Sequence, residues 1–329
     1  GTVTVRKAIA DSMNVCAVKT LTEITPQLGF DYLLNFGFTT LVQNRTEKDG
    51  SVVSDIQQPL ALGGITDGIT NLEITAAYAT IANQGTYTRP VFYSKVVDSN
   101  GRILLDNTTP TTHTVLKSST ASLLTQGMTS VITEGTGKAC ALTDGMPVSG
   151  KTGTTSSAYD LWFCGYTPYL TASIWTGYDE NKELGSDQAY HERLWSKIMS
   201  QIDQVKGYKI KDFEMSDDVE EVTLCSSSGA LAIEGVCPHT YTEYFSKDTA
   251  PTNKCSYHYG TPKKTTNESS TEATTSGTVT VGSANAADNA ADRKTSVSGG
   301  SSDSSGSDDA KDGSGSSNDG SSGSNGAKE

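Results

Sequence analysis

The sequence predicts an α+β fold, and three observations carry that prediction. Apolar residues recur at helical spacing in the N-terminal part of the chain. Three strand-like segments then follow one another across short turns between residues 146 and 178, and an amphipathic segment at 192–202 comes after them. Connections that short join antiparallel neighbours, because parallel strands need a long crossover. An antiparallel sheet flanked by helices is the architecture expected.

Each element has its own local reason. Val5 to Ala10 forms a short apolar turn that breaks at Asp11-Ser12-Met13-Asn14. Helical spacing resumes with Val15, Val18 and Leu21 and reaches Tyr32, Leu33 and Phe36 before Gly37 stops it. Residues 43–60 are polar and turn-rich and read as a surface loop. Thr70-Asn71-Leu72-Glu73 has capping-box spacing and starts a helix running through Ala76, Ala77 and Ile81 to Gly85. Val91–Val97 and Arg102–Leu105 flank Asp98-Ser99-Asn100-Gly101, whose Asn-Gly pair suits a hairpin turn. Ser118 or Ser119 caps the next helix, which carries Leu123, Leu124, Met128 and Val131 inward and ends near Thr133. The strands are Met146–Thr155, Leu161–Thr167 and Leu170–Tyr178. The helix Glu192–Ile202 sets Leu194, Trp195, Ile198 and Met199 against them.

Composition divides the chain. It has 329 residues, of which 35% are hydrophobic and 7% aromatic. The deficit is local: beyond Gly260 there is no Phe, Tyr or Trp, and Ser, Gly, Thr, Asp and Asn dominate. Such a segment cannot bury enough apolar surface to offset its chain entropy, so residues 261–329 are expected to be disordered. The net charge of −13 disfavours a nucleic-acid partner, whose phosphates an acidic surface repels. No apolar run approaches the length of a membrane span. Among six cysteines, Cys16, Cys140 and Cys164 stand alone and read as packing residues, while Cys225, Cys237 and Cys255 cluster near His239 and His258.

The most informative stretch is Ser149-Gly150-Lys151-Thr152-Gly153-Thr154-Thr155. Gly145 to Thr152 satisfies the phosphate-loop pattern letter for letter, a remote reading as a nucleotide-binding enzyme. That pattern needs a buried strand before it and a helix starting at the lysine. Here Thr143-Asp144-Gly145 are turn formers, Pro147 sits inside the loop, and Thr-Gly-Thr-Thr-Ser-Ser begins a helix poorly. The other reading is a strand facing a cleft. The Lys151 ammonium attracts a substrate carboxylate, the Thr152 and Thr154 hydroxyls donate to it, and Gly153 lets another backbone lie close. The substrate then adds to the strand edge, and an amide near Thr154 helps to stabilise an oxyanion.

Lys151-Thr152-Gly153 is one element of the signature of penicillin-binding proteins and serine β-lactamases, and Ser12-Met13-Asn14 supplies a second, Ser-x-Asn. Leu60-Ala-Leu-Gly-Gly64, Ala76-Ala-Tyr-Ala-Thr80, Ala82-Asn-Gln-Gly85 and Arg89-Pro90 resemble class A penicillin-binding proteins of Gram-positive type. So do Asp160-Leu-Trp-Phe163, Gly165-Tyr-Thr-Pro168 and Trp175-Thr-Gly-Tyr-Asp179, and the ordered likeness covers roughly residues 1–260. The resemblance implies a β-lactamase/transpeptidase-like fold and acyl transfer from peptides ending in D-Ala-D-Ala in cell-wall cross-linking. Carried over, Ser12 shuttles a proton to the leaving group and Asn14 binds the substrate backbone. Lys151 pairs with the terminal carboxylate and with Ser12. Thr152 and Thr154 bind that carboxylate, beside Gly153.

The family's nucleophile sits in a Ser-x-x-Lys motif, and no serine here has a lysine three residues later. That motif is expected upstream of Gly1, which makes this chain a fragment, inert by itself. The implied partners are peptidoglycan stem peptides and β-lactams, with no cofactor. The implied location is the extracytoplasmic face of the membrane, through an N-terminal anchor that this chain lacks. The alternative is a non-catalytic sensor of β-lactams or wall peptides. The implied extracellular setting favours a disulfide in the cysteine cluster, with Cys225–Cys237 the nearest pair, over zinc, for which the spacings lack the usual paired motif. No metal is therefore expected. The expected division is a partial transpeptidase domain at 1–205, a small cysteine-containing extension at 206–260 and the tail at 261–329.

Overall fold

The computed structural model describes residues 2–258, and the predicted tail lies outside them. The helices are α1 (Val5–Ala10), α2 (Asn14–Ile24), α3 (Pro26–Asn35), α4 (Asn71–Ala82), α5 (Ser118–Thr133) and α6 (Tyr190–Lys206). The N-terminal strands are β1 (Arg45–Thr46), β2 (Val52–Val53), β3 (Thr86–Thr88), β4 (Lys95–Val97), β5 (Ile103–Asp106) and β6 (Thr112–Thr114). They are followed by β7 (Ser149–Thr154), β8 (Asp160–Tyr166), β9 (Thr171–Gly177), β10 (Val219–Cys225) and β11 (Thr240–Ser246). The architecture is α+β, as the sequence predicts.

The central sheet has the order β7-β8-β9, antiparallel throughout, with β7 at an edge. Its two faces follow from strand alternation. On one face Phe163 meets Trp195 of α6 edge-on at 4.9 Å, within a buried core that includes Val131, Ile132, Met146, Val148 and Met199. On the other, Ser173, paired with Cys164 in the register, bonds to Thr75 and Asn71 of α4. Gly150 and Gly165 face each other across β7 and β8. A Cβ at either would lie 2.6 Å from the Phe163 ring, so the paired glycines make the space that ring fills.

Three expectations change in detail. The apolar run from Val15 to Phe36 is two helices, because Pro26 cannot continue the ladder and Thr25 turns to φ 77° before capping α3 through its hydroxyl. The segment 43–60 is more than a surface loop. The Asp55 carboxylate is buried and accepts from Val42 N at 2.7 Å and from Thr66 N at 2.7 Å, and Leu60 joins Leu21 and Phe30 in a second small core. In α5 the N-cap is Lys117, and Ser118 instead bonds to Ser216 at 2.8 Å. The capping box of Thr70 and Glu73 is formed as predicted, and the Asp98–Gly101 turn joins β4 to β5.

Candidate active site

Helix α1 ends in a left-handed turn. Ser12 N donates to Ile9 O at 3.1 Å and Met13 N to Ala8 O at 2.9 Å, the bond pair of a Schellman cap. Ser12 occupies the left-handed position with φ 56°, where glycine is usual. A serine held there is lifted out of both helices, and its hydroxyl is exposed. Asn14 opens α2 two residues later, also exposed.

Lys151 comes from the middle of the edge strand β7. Its Nζ donates to Ser12 Oγ at 2.8 Å and to Thr152 O at 3.1 Å. Two motifs 139 residues apart in sequence thus meet at one hydrogen bond. Burial alone pushes the Lys151 ammonium below the usual lysine value. No helix begins at Lys151, so the strand reading of the Gly145–Thr152 segment fits the backbone and the phosphate-loop geometry is not formed. Half of the peptide groups of an edge strand point away from its neighbour and are free to pair with an added strand. Gly153 and Thr154 lie at the outer end of that edge, with Thr154 exposed.

Thr136, which sequence reasoning missed, touches this site. Its hydroxyl lies 2.7 Å from that of Thr152, so the Thr152 side chain is already engaged. Its amide donates to Ala10 O at 3.1 Å. The neighbouring Gly135 lets that contact form, since a Cβ there would lie 2.2 Å from Ala10 O. The only sequence signal was the Gly135-Thr136-Gly137 run after a helix end, a turn signal without chemistry. Arg6 was missed too. It donates to Gln126 O at 2.6 Å, to Ser130 Oγ at 3.1 Å and to the Glu243 carboxylate, which locks α1 onto α5 and β11.

Cys225, Cys237 and Cys255 cluster beside His258, but the disulfide expected between Cys225 and Cys237 is not formed. Both are free thiols, as is Cys255. Cys140 and Cys164 are buried packing residues, and burial pushes the Cys164 thiol up to about 12, whereas Cys16 on α2 is only half-buried.

Residues 1–200 match the family described as the penicillin binding protein transpeptidase domain, and residues 215–260 match the C-terminal domain of penicillin-binding protein 1A. Penicillin-binding protein 1A of Clostridium tetani is 31% identical over 272 residues, covering 79% of this chain and 33% of that protein. Penicillin-binding protein 1A/1B of Bacillus subtilis is 30% identical over 277 residues, covering 76% of this chain and 28% of that protein. The chain therefore spans about a third of the length of these relatives. Among solved structures, penicillin-binding protein 1A from Haemophilus influenzae superposes with a TM-score of 0.58 at 20% identity, over 76% of this chain and 41% of that one. PonA1 from Mycobacterium tuberculosis superposes with a TM-score of 0.56 at 25% identity, over 65% and 59%. PonA1 in complex with penicillin V gives 0.55 at 24% identity, over the same shares. The fold is thus the β-lactamase/transpeptidase-like one, and the chain belongs to the penicillin-binding protein transpeptidase family.

Proposed function

We propose that this chain supplies the carboxylate-binding and proton-relay half of a serine acyl-transfer site acting on peptides that end in D-Ala-D-Ala. The observation that carries the reading is the 2.8 Å bond from Lys151 Nζ to Ser12 Oγ beside an open strand edge. In that bond Ser12 Oγ accepts, so its own proton remains available to a leaving amine, and the ammonium stabilises the alkoxide character that develops as the proton leaves. The substrate lies along β7, held by main-chain bonds. Its terminal carboxylate meets Lys151 and the hydroxyls of Thr152 and Thr154, its backbone meets Asn14, and the Thr154 amide faces the oxyanion.

The product of such a transfer is a cross-linked wall peptide, or a trimmed one when water accepts the acyl group. β-Lactams enter as mimics of the D-Ala-D-Ala terminus, a reading supported by the penicillin V complex of a protein with this fold. The substrate implies a site outside the cytoplasmic membrane. None of the helices among the described residues is long and apolar enough to cross one. The reaction also needs a nucleophile in a Ser-x-x-Lys motif, which no serine of this sequence begins. Neither nucleotide nor cofactor is needed by this arrangement.

Labelling with a fluorescent penicillin tests the reading at two levels. The 329-residue chain alone is expected to form no acyl-enzyme; stable stoichiometric labelling would mean that another serine acts. In a longer protein that joins these residues to a Ser-x-x-Lys segment, labelling is expected, and Lys151→Ala should slow it about 10²-fold or more. Labelling of Lys151→Ala at the unsubstituted rate would overturn the role given to Lys151. Binding by the longer protein without covalent labelling would favour a sensor instead.

A further inference from the structure

The transpeptidase reading makes no use of the cysteine cluster in the C-terminal extension. Cys225 ends β10, Cys237 lies in the connection between β10 and β11, and Cys255 and His258 follow β11. The backbone brings these segments together through Leu231. That residue bridges Leu224 on one side and Lys254 on the other, and its carbonyl accepts from Cys255 N at 2.8 Å. Cys225 N donates to Ala230 O at 2.9 Å and so fixes the remaining corner. As a result one ligand atom from each of Cys225, Cys237, Cys255 and His258 lies within 4.8 Å of all the others. The Nδ1 atom of His258 is 3.4 Å from Cys225 Sγ and 3.5 Å from Cys255 Sγ.

We propose that Cys225, Cys237, Cys255 and His258 hold one zinc ion in a closed, structural site. The donors are three sulfurs and one imidazole nitrogen with no carboxylate, a soft set that suits zinc and not magnesium or calcium. A tetrahedral ion with Zn–S near 2.3 Å and Zn–N near 2.0 Å holds its ligand atoms about 3.5–4 Å apart, the spacing His258 already has from two sulfurs. A disulfide would instead draw two sulfurs to about 2.05 Å and strand the third. Around Cys237 the chain is shaped for a thiolate: Ile233 N donates to Cys237 Sγ at 3.3 Å, while Cys237 N donates back to Ile233 O at 3.0 Å. Such N–H···S bonds orient a ligating sulfur.

The site binds as Zn²⁺ displaces three thiol protons while neutral imidazole donates its lone pair, which leaves one net negative charge on the cluster. All four positions are filled by protein, so no open position remains for water or substrate, and the role is to hold the fold. The need is physical. A two-stranded hairpin has little core of its own and is marginal in water, and here the buried apolar side chains of the extension are few: Leu224, Cys225 and Cys255. A tetrahedral ion pins the end of β10, its loop and the segment after β11 in one step.

The inference stands apart from the acyl-transfer reading and is tested separately on the whole 329-residue chain. After expression with zinc and purification, elemental analysis is expected to find one zinc per chain. Cys255→Ser and His258→Ala should each lower the metal content at limiting zinc about tenfold or more, while Cys16→Ser, outside the cluster, leaves it unchanged. Should either ligand variant fail to fold, the unsubstituted chain still decides. Exchange of zinc for cobalt should produce the intense absorption of tetrahedral thiolate-bound Co²⁺, and a chelator should lower its melting temperature. A disulfide among Cys225, Cys237 and Cys255 in non-reducing peptide mapping, with zinc at background, would overturn the proposal, as would cobalt binding that survives loss of Cys255.

Discussion

Ser12 is placed by a backbone that prefers another residue. The left-handed position at the end of a Schellman cap favours glycine, because a Cβ crowds the following carbonyl by roughly 1–2 kcal/mol. Here a serine occupies it with φ 56°, which is strain at a site where the hydroxyl has a use. The consequence can be measured by comparing two substitutions that both remove the hydroxyl. Ser12→Gly should be more stable in urea unfolding than Ser12→Ala by roughly 1 kcal/mol, reversing their usual order beside a helix. Both should lose penicillin labelling in the longer protein. Equal stabilities would mean that the left-handed turn is relaxed without the Lys151 bond. The identities of Ser12 and Lys151 were legible in the sequence because each belongs to a short pattern of chemical types. Thr136 was not, because a hydroxyl in a glycine-flanked turn has no pattern until the fold places it 2.7 Å from Thr152.

At the scale of elements, the site depends on how closely the turn after α5 approaches the end of α1. Gly135 stands where a side chain would meet Ala10 O at 2.2 Å, a backbone atom that cannot swing aside. Gly135→Ala should therefore push α1 away, two residues before Ser12. The expected loss of stability is about 1–3 kcal/mol, as for other overpacked sites, read from the urea midpoint. Labelling of the longer protein should fall more than stability alone requires, because Ser12 and Lys151 separate. A labelling rate unchanged in folded protein would show that α1 tolerates the shift. Strong local signals located the helices and the β7-β8-β9 order: a capping box, alternation, and turns too short for crossovers. The pairing of β3 with β6 was not legible, since each has three residues and the partners lie on either side of the β4–β5 hairpin. Local propensity says little about so short a strand.

At the scale of the whole molecule, the C-terminal extension and the N-terminal helix are held by one half-buried ion pair. Arg6 Nε donates to Glu243 Oε2 at 2.8 Å across 237 residues of sequence, and the second guanidinium nitrogen takes the other oxygen. A separation of that size has no signature in sequence, which is why the extension read as a separate appendage. Burial pushes Glu243 up, but the bond from Arg6, the Tyr244 amide and the Arg6 charge together outweigh it and hold the carboxyl below its usual value. The sign of the pH dependence follows. Stability from this pair is fully present above the ordinary glutamate range and is lost as pH falls through the lowered Glu243 value. A double-mutant cycle of Arg6→Ala and Glu243→Ala should give a coupling of about 1 kcal/mol near neutrality, tempered by partial exposure, and a smaller one in acid. If the cycle is additive at both pH values, the extension does not steady α1 through this pair. If the coupling appears, then damage to the extension, by loss of Glu243 or by unfolding of β10 and β11, should slow penicillin labelling at Ser12's site without touching any residue in it.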